Sequence, residues 1–166
     1  MSRQGRPEAA VPQVGDLRLG IAAIRWHASI SDRLLERALT AAGEAGIDEP
    51  TVVRVPGSVE LPVVCQQLAH QNDAVVALGV VIRGGTPHFE YVCESVTSGL
   101  TRVALDESTA VGNGVLTCDS EQQAMDRAGF SESVEDKGFE ATVAALETAR
   151  VLQELRGGWS REGGFL

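Results

Sequence analysis

The stretch Ala74–Phe89, AVVALGVVIRGGTPHF, decides how the chain is read. Ala74–Ile82 is nearly uniform in apolar, mostly β-branched side chains, with Gly79 the only break. A run without alternation suits a strand covered on both faces, as in a parallel sheet buried between helices. It falls far short of the ~20 residues a membrane helix needs. The character then changes at once. Arg83-Gly84-Gly85 makes a turn, Thr86 is a candidate N-cap, and Pro87 suits the first helical position, where a missing amide is no loss. Pro87–Leu105 reads as a long helix. A buried strand feeding a glycine turn and a helix N-terminus is half of a β-α-β unit.

The same alternation continues outward in both directions. Leu17–Ile24 is a second apolar run, and Ser29–Ala45 follows with Ile30, Leu34, Leu35, Ala38 and Ala42 at helical spacing. Thr51–Val55 is β-branched. Ser58–His70 is helical, and its Pro62 is tolerable only in the first turn. Ala110–Thr117 is a fourth strand, weakened by glycines. Ser120–Ala128 and Lys137–Arg156 are helices, the latter with Val143, Leu146, Ala149 and Leu155 expected on its inner face. This order predicts an α/β fold, a four-stranded parallel sheet in a three-layer α/β/α sandwich. Residues 17–156 make one domain, between a loose arm at 1–16 and a flexible Gly/aromatic tail at 157–166.

Composition narrows the function. The 166 residues are 43% hydrophobic and 22% charged, which describes a globular chain rather than a disordered one. A net charge of −9 leaves no basic stripe to displace counterions from phosphates, so nucleic acid is an improbable partner. The N-terminus has no apolar h-region, and a cytoplasmic location is the expectation. Cys65, Cys93 and Cys118 are far apart and none forms a CxxC pair, so three reduced thiols are expected rather than a disulfide or zinc framework. Of fourteen basic residues only Lys137 is a lysine.

Open parallel sheets bind ligands beyond the carboxyl ends of their strands, so the residues just after each strand are the candidates. After the first comes Trp26, which either offers a flat face to an aromatic ligand or closes the sheet edge. After the second comes Pro56-Gly57-Ser58-Val59-Glu60. Ser58 is a candidate helix cap there, and Glu60 either faces the helix dipole or accepts from ligand hydroxyls. After the third, the amides of Gly84-Gly85-Thr86 at a helix N-terminus form a phosphate cradle. This turn matches neither GxxxxGK[ST] nor GxGxxG. His88 sits beside it, where an imidazole can move protons near pH 7. His27 and His70 lack such surroundings and read as structural. Asn113 lies within the fourth strand. Arg127 ends a helix, where a cation is ordinary, whereas Lys137 opens one, a placement that calls for an anionic partner.

Together these motifs resemble the 6,7-dimethyl-8-ribityllumazine synthase family. The resemblance spans residues 17–156. It is carried by PGSVELP at 56–62, ALGVVIRGGTPHFEYV at 77–92, GVLT at 114–117, QAMDRAG at 123–129 and Asp136-Lys137-Gly138. It implies a flavodoxin-like sheet and the penultimate step of riboflavin biosynthesis. In that step 5-amino-6-(D-ribitylamino)uracil condenses with 3,4-dihydroxy-2-butanone 4-phosphate to the lumazine, phosphate and water, with no cofactor and no metal. By the resemblance, Trp26 stacks on the pyrimidine, Ser58, Val59 and Glu60 hold the ribityl chain and ring, and backbone groups of Val80, Val81 and Ile82 meet the uracil edge. Gly85, Thr86 and Arg127 bind phosphate, and His88 shuttles protons. Asn113, Arg127 and Lys137 come from the neighbouring subunit of a homopentamer, whose N-terminal arm is free to add to an adjacent sheet. Riboflavin synthase is a further expected partner.

The sequence departs from the family pattern at Val59 (often Phe), Asn113 (often aromatic) and Asp136 (usually Asn). Its loop Phe130–Glu135 is longer and less glycine-rich than in shell-forming members, which favours a pentamer. A non-catalytic lumazine- or flavin-binding relative, or a shell-forming scaffold of this fold that has lost catalysis, predicts damage at Trp26, Glu60, His88 or Arg127, and all four are intact. A flavodoxin-like FMN binder needs a phosphate loop after the first strand, where Arg25-Trp26-His27 stands instead.

Overall fold

The computed structural model describes residues 10–157. Residues 158–166 of the expected tail and the first nine residues of the expected arm lie outside them, while Gly157 ends the last helix. Four parallel strands, β1 (Leu19–Ile24), β2 (Thr51–Val55), β3 (Ala74–Ile82) and β4 (Ala110–Cys118), form one sheet in the order β2-β1-β3-β4. Helices α1 (Ala28–Glu44) and α5 (Lys137–Gly157) cover one face, and α2 (Leu61–Ala69) and α3 (His88–Asp106) the other. A short α4 (Glu121–Met125) follows β4. This is the three-layer sandwich expected from the alternation of apolar runs.

Every side chain of β1, and β3 as far as Val80, is buried, which is why these segments read as unbroken apolar runs. The edge strand β4 alternates buried and open positions along its length. Small residues set the distance between layers. A Cβ on Gly112 would lie 2.4 Å from the Ala141 carbonyl oxygen of α5, and one on Gly138 would lie 2.2 Å from that of Leu34 on α1. α5 packs against both the sheet and α1 through Gly138, Ala141, Ala145 and Ala149, with Val143 and Leu146 filling the remaining space.

Leu155, expected on that inner face, is instead exposed. It lies nine residues beyond Leu146, about two and a half turns at 3.6 residues per turn, and so points the opposite way.

The described part of the arm is tied down. Val14 is buried and donates its amide to the Ala45 carbonyl at 2.9 Å. Arg150 of α5 reaches Asp16 Oδ1 at 2.8 Å. The three thiols are free, with Cys65 and Cys118 buried and Cys93 half-buried, and burial pushes Cys65 up to about 12.

At the amino end of the sheet, Arg18 and Asp73 clasp β1 to β3. The Asp73 carboxylate accepts the Arg18 backbone amide at 2.8 Å and its Nε at 3.2 Å. Partial burial raises the Asp73 pKa, but these bonds outweigh it and hold the group below its ordinary value. The contribution is therefore complete above the unfolded carboxylate pKa of about 4 and is lost as pH falls through the lower folded value. Asp73→Asn should lower stability at neutral pH and shrink the loss on acidification below about pH 4. Denaturant melts of both proteins at pH 7 and pH 3 measure this.

Candidate functional site

The register of the sheet opens the site. β1 pairs with β3 only as far as Ala23↔Leu78, whereas β4 pairs with it through Ile82↔Cys118. β3 thus runs four residues past its last partner on β1, leaving one side of Gly79–Ile82 without a neighbouring strand. This is the switch point of the sheet, where the chain turns outward to opposite sides from adjacent strands. A cleft of about 360 Å³ lies there.

Three loops complete its walls. From the exit of β1 comes Trp26, 71% exposed, so of its two readings the packed one fails and a free ring face stands in the cleft. From the exit of β2 comes the Ser58–Glu60 turn, a single 3₁₀ turn that precedes α2. Ser58 does not cap the helix, as expected of it. It is buried, and its hydroxyl donates across to the Val80 carbonyl at 3.3 Å, fastening the turn to β3. Gly79 makes this approach possible, since a Cβ there would lie 2.8 Å from Ser58 Oγ. Glu60 accepts the Gly57 amide through Oε2 at 2.9 Å, so part of its carboxylate serves the turn while the residue lines the cleft. Val59 is half-exposed on the same wall.

From the exit of β3 comes Gly84–His88. Pro87, rather than Thr86, takes the cap position of α3, and its carbonyl accepts from Glu90 N at 3.2 Å. That tight i→i+3 turn sets Thr86 one residue outside the helix, so its hydroxyl is not spent on capping. The amides of Gly84, Gly85 and Thr86 donate to no acceptor among the described residues. A Cβ on Gly84 or Gly85 would meet nothing within 4 Å, and neither has a positive φ. The protomer does not require glycine there; what glycine provides is unobstructed backbone amides. Thr86 and His88 line the cleft.

The structure therefore gathers Trp26, Ser58, Val59, Glu60, Val80, Val81, Ile82, Thr86 and His88 into one cleft. It adds His27, set aside above as structural, together with Phe89 and Val92. His27 adopts φ 51°, ψ 54° at the start of α1, a left-handed conformation that swings the chain out of β1 into the helix. No spacing signal announces such a residue.

Four expected site residues do not line the cleft of their own chain. Gly85 stands just outside it, on the loop. Asn113 projects from β4, its Oδ1 accepting the Val115 amide at 3.0 Å. Arg127, half-buried after α4, donates to the Gln123 carbonyl at 2.8 Å. Lys137 finds its anion within the chain: Glu135 at 2.7 Å and Glu140 at 2.8 Å. Burial pulls the ammonium down, but the two carboxylates outweigh it and hold Lys137 above its ordinary value. Its place at the start of α5 is therefore accounted for without a substrate.

A doubly wound parallel protein with a strand-end cleft that joins an exposed aromatic, free backbone edges, a carboxylate and an imidazole is built to hold a small polar heterocycle. Comparison with known proteins gives the family. The profile of 6,7-dimethyl-8-ribityllumazine synthase matches residues 16–153. The chain is 80% identical to the 6,7-dimethyl-8-ribityllumazine synthase of Saccharopolyspora erythraea over the full length of both. It is 61% identical to that of Thermobifida fusca, covering 94% of this chain and 91% of the relative. It is 60% identical to that of Mycolicibacterium paratuberculosis, covering 92% and 95%. The chain belongs to the 6,7-dimethyl-8-ribityllumazine synthase family, as its motifs implied. It is a transferase of riboflavin biosynthesis acting on small molecules.

The packing at Gly79 gives a direct test of the cleft wall. Gly79→Ala should push the Ser58–Glu60 turn off β3, costing about 1–3 kcal/mol as overpacking does and narrowing the cleft. Thermal melting and titration with a lumazine analogue should both register the change.

Proposed function

We propose that the strand-end cleft is the reaction chamber for condensing 5-amino-6-(D-ribitylamino)uracil with 3,4-dihydroxy-2-butanone 4-phosphate, and that a neighbouring subunit closes it. The overhang of β3 beyond β1 carries this reading. It leaves backbone groups of Val80–Ile82 along an edge that the Val80 carbonyl shares with Ser58, matched to the alternating groups of a uracil ring, with the Trp26 ring lining the same cleft to stack on it. Glu60, with one oxygen holding the turn, presents the other to ribityl hydroxyls. The amides of Gly85 and Thr86 receive the phosphate at the N-terminus of α3. His88 moves the protons that imine formation and phosphate departure require. Holding the two substrates together supplies a large share of the barrier reduction, about 7 kcal/mol or more for well-oriented reactants.

Asn113, Arg127 and Lys137 stand away from this cleft in their own chain, so their contribution belongs to the adjoining protomer's site. Arg127 brings a guanidinium to the phosphate, and Lys137 an ammonium held by carboxylates. Exposed apolar side chains surround the cleft face: Trp26, Val59, Val63 on α2 and Tyr91 on α3 are each more than half exposed. Covering these with a second copy removes apolar area from water and shuts solvent out of the site. The open edge of β2 suits a strand from a neighbour's N-terminal arm. Riboflavin synthase, which uses the product, remains a proposed partner, and the cytoplasm the proposed location.

The assembly proposed is a homopentamer. The Phe130–Glu135 loop that favours it is folded back against the end of α4, with Phe130 N donating to Ser133 Oγ at 2.9 Å and Val134 N to the Asp126 carbonyl at 2.8 Å. Sedimentation velocity should show a single species of five chains; a sixty-subunit particle would overturn the pentamer.

Mixing the two substrates with the enzyme should produce lumazine fluorescence. His88→Ala should lower kcat about 100-fold or more with little change in either KM, in line with the usual worth of general acid–base catalysis. Arg127→Ala should chiefly raise the KM for the phosphate substrate. Unchanged kinetics in both variants would remove the site assignment.

A further inference from the structure

Arg83 is absorbed by none of these roles, yet its side chain engages two carboxylates and an aromatic ring beside the cleft. It directly follows β3, and its amide donates to the Cys118 carbonyl at 2.9 Å, extending the β3–β4 ladder by one step. Its guanidinium then turns back toward α3. Nε donates to Asp119 Oδ1 at 2.7 Å, a terminal nitrogen donates to Glu90 Oε1, and the group sits 4.2 Å from the centre of the Phe89 ring. One side chain thus joins the end of β3, the end of β4 and the first turn of α3. The hydrogen bond from Arg83 holds the Glu90 carboxyl below the usual carboxylate range.

The segment between these anchors has little of its own to hold it. The amides of Gly84, Gly85 and Thr86 have no acceptor among the described residues, and no side chain caps α3. Its geometry is therefore fixed at its ends. An exposed ion pair alone contributes little. Here a planar fork meets two carboxylates while stacking on a ring, so one ordered side chain satisfies three contacts.

We propose that Arg83 is a positioning residue: by clamping the first turn of α3 to the ends of β3 and β4, it holds the Gly85–Thr86 amides and His88 where the phosphate-bearing substrate reacts. The inference rests on the reading of the cleft given above. The pyrimidine half of the site, built from Trp26, the Ser58–Glu60 turn and the β3 edge, does not hang on this clamp. Loss of Arg83 should therefore act on one substrate and not on the other.

Steady-state kinetics on the assembled enzyme test this. Arg83→Ala should raise the KM for 3,4-dihydroxy-2-butanone 4-phosphate about tenfold or more and lower kcat, with the pyrimidine KM within about twofold of wild type. Arg83→Lys keeps the charge but neither fork nor stack, and should lie nearer to the alanine variant than to wild type. The double variant Glu90→Gln/Asp119→Asn leaves Arg83 in place, removes its charged partners and should reproduce the selective KM change, which keeps the test available if Arg83→Ala fails to fold. Equal changes in both KM values, full activity in Arg83→Lys, or wild-type kinetics in the double variant would each overturn the proposal. Absence of lumazine formation by the wild-type enzyme would instead overturn the functional reading. In that case the clamp is still tested by calorimetry with inorganic phosphate, whose affinity should drop about tenfold in Arg83→Ala and, if unchanged, counts against it.

Discussion

The unequal lengths of two neighbouring strands govern the molecule. β1 needs only six residues to cross the core, while β3 has nine, and hydrogen bonding to β4 keeps the whole of β3 extended. The surplus residues on β3 remain straight although one of their two flanking strands has ended. A parallel sheet whose middle strand outruns its neighbour must leave main-chain donors and acceptors open on that side, and open main chain needs a partner. Loops from β1, β2 and β3 converge on this gap because each leaves the sheet at its carboxyl end. The cleft is a consequence of strand register before it is a consequence of any particular side chain.

The four strands, the helices and their order were legible because burial on both faces forces apolar runs, and covering helices must carry apolar stripes. The heart of the cleft was legible for a related reason: the residues that build it follow directly after strands, so finding the strand finds the site. Where sequence reading failed, the cause was geometry that links distant residues. Asp16 is held by Arg150, 134 positions away, so part of a polar arm is packed despite having no period. Ser58 looked like a cap because its neighbours resemble a helix start, yet its hydroxyl serves the adjacent strand. His27 enters the cleft through a backbone conformation that its residue type does not encode. Gly85, Arg127 and Lys137 lie in the family's motifs and Asn113 just before one, but a single chain does not bring them to its own cleft.

Charge shows how local electrostatics overrides composition. The chain's only lysine lies between two carboxylates, and the aspartate beside it, where the family usually has asparagine, pairs with Arg37 at 2.6 Å. Arg33, one turn earlier on α1, donates its Nε to the Gly129 carbonyl at 2.8 Å. These two arginines also lie over Phe139 and Phe130, at 5.4 and 5.7 Å from the ring centres. The segment between α4 and α5 is thereby fastened to α1. On the same segment Arg127 donates to the Gln123 carbonyl, while Asp136 and Lys137 are satisfied by ions of their own chain.

The two margins of the sheet are not equivalent. On β4, Asn113 spends its carbonyl oxygen on the Val115 amide, so a main-chain donor that an incoming strand would use is already satisfied. On β2, Thr51 and Val52 are exposed, and no side chain hydrogen-bonds the backbone of Thr51–Val53 among the described residues. The sheet can be lengthened from one margin and is blunted at the other. Two copies cannot meet β4 to β4 without breaking an internal bond, which disfavours a symmetric edge-to-edge dimer. Contacts between unlike surfaces remain, and repeated head to tail they close into rings when the rotation between copies is right.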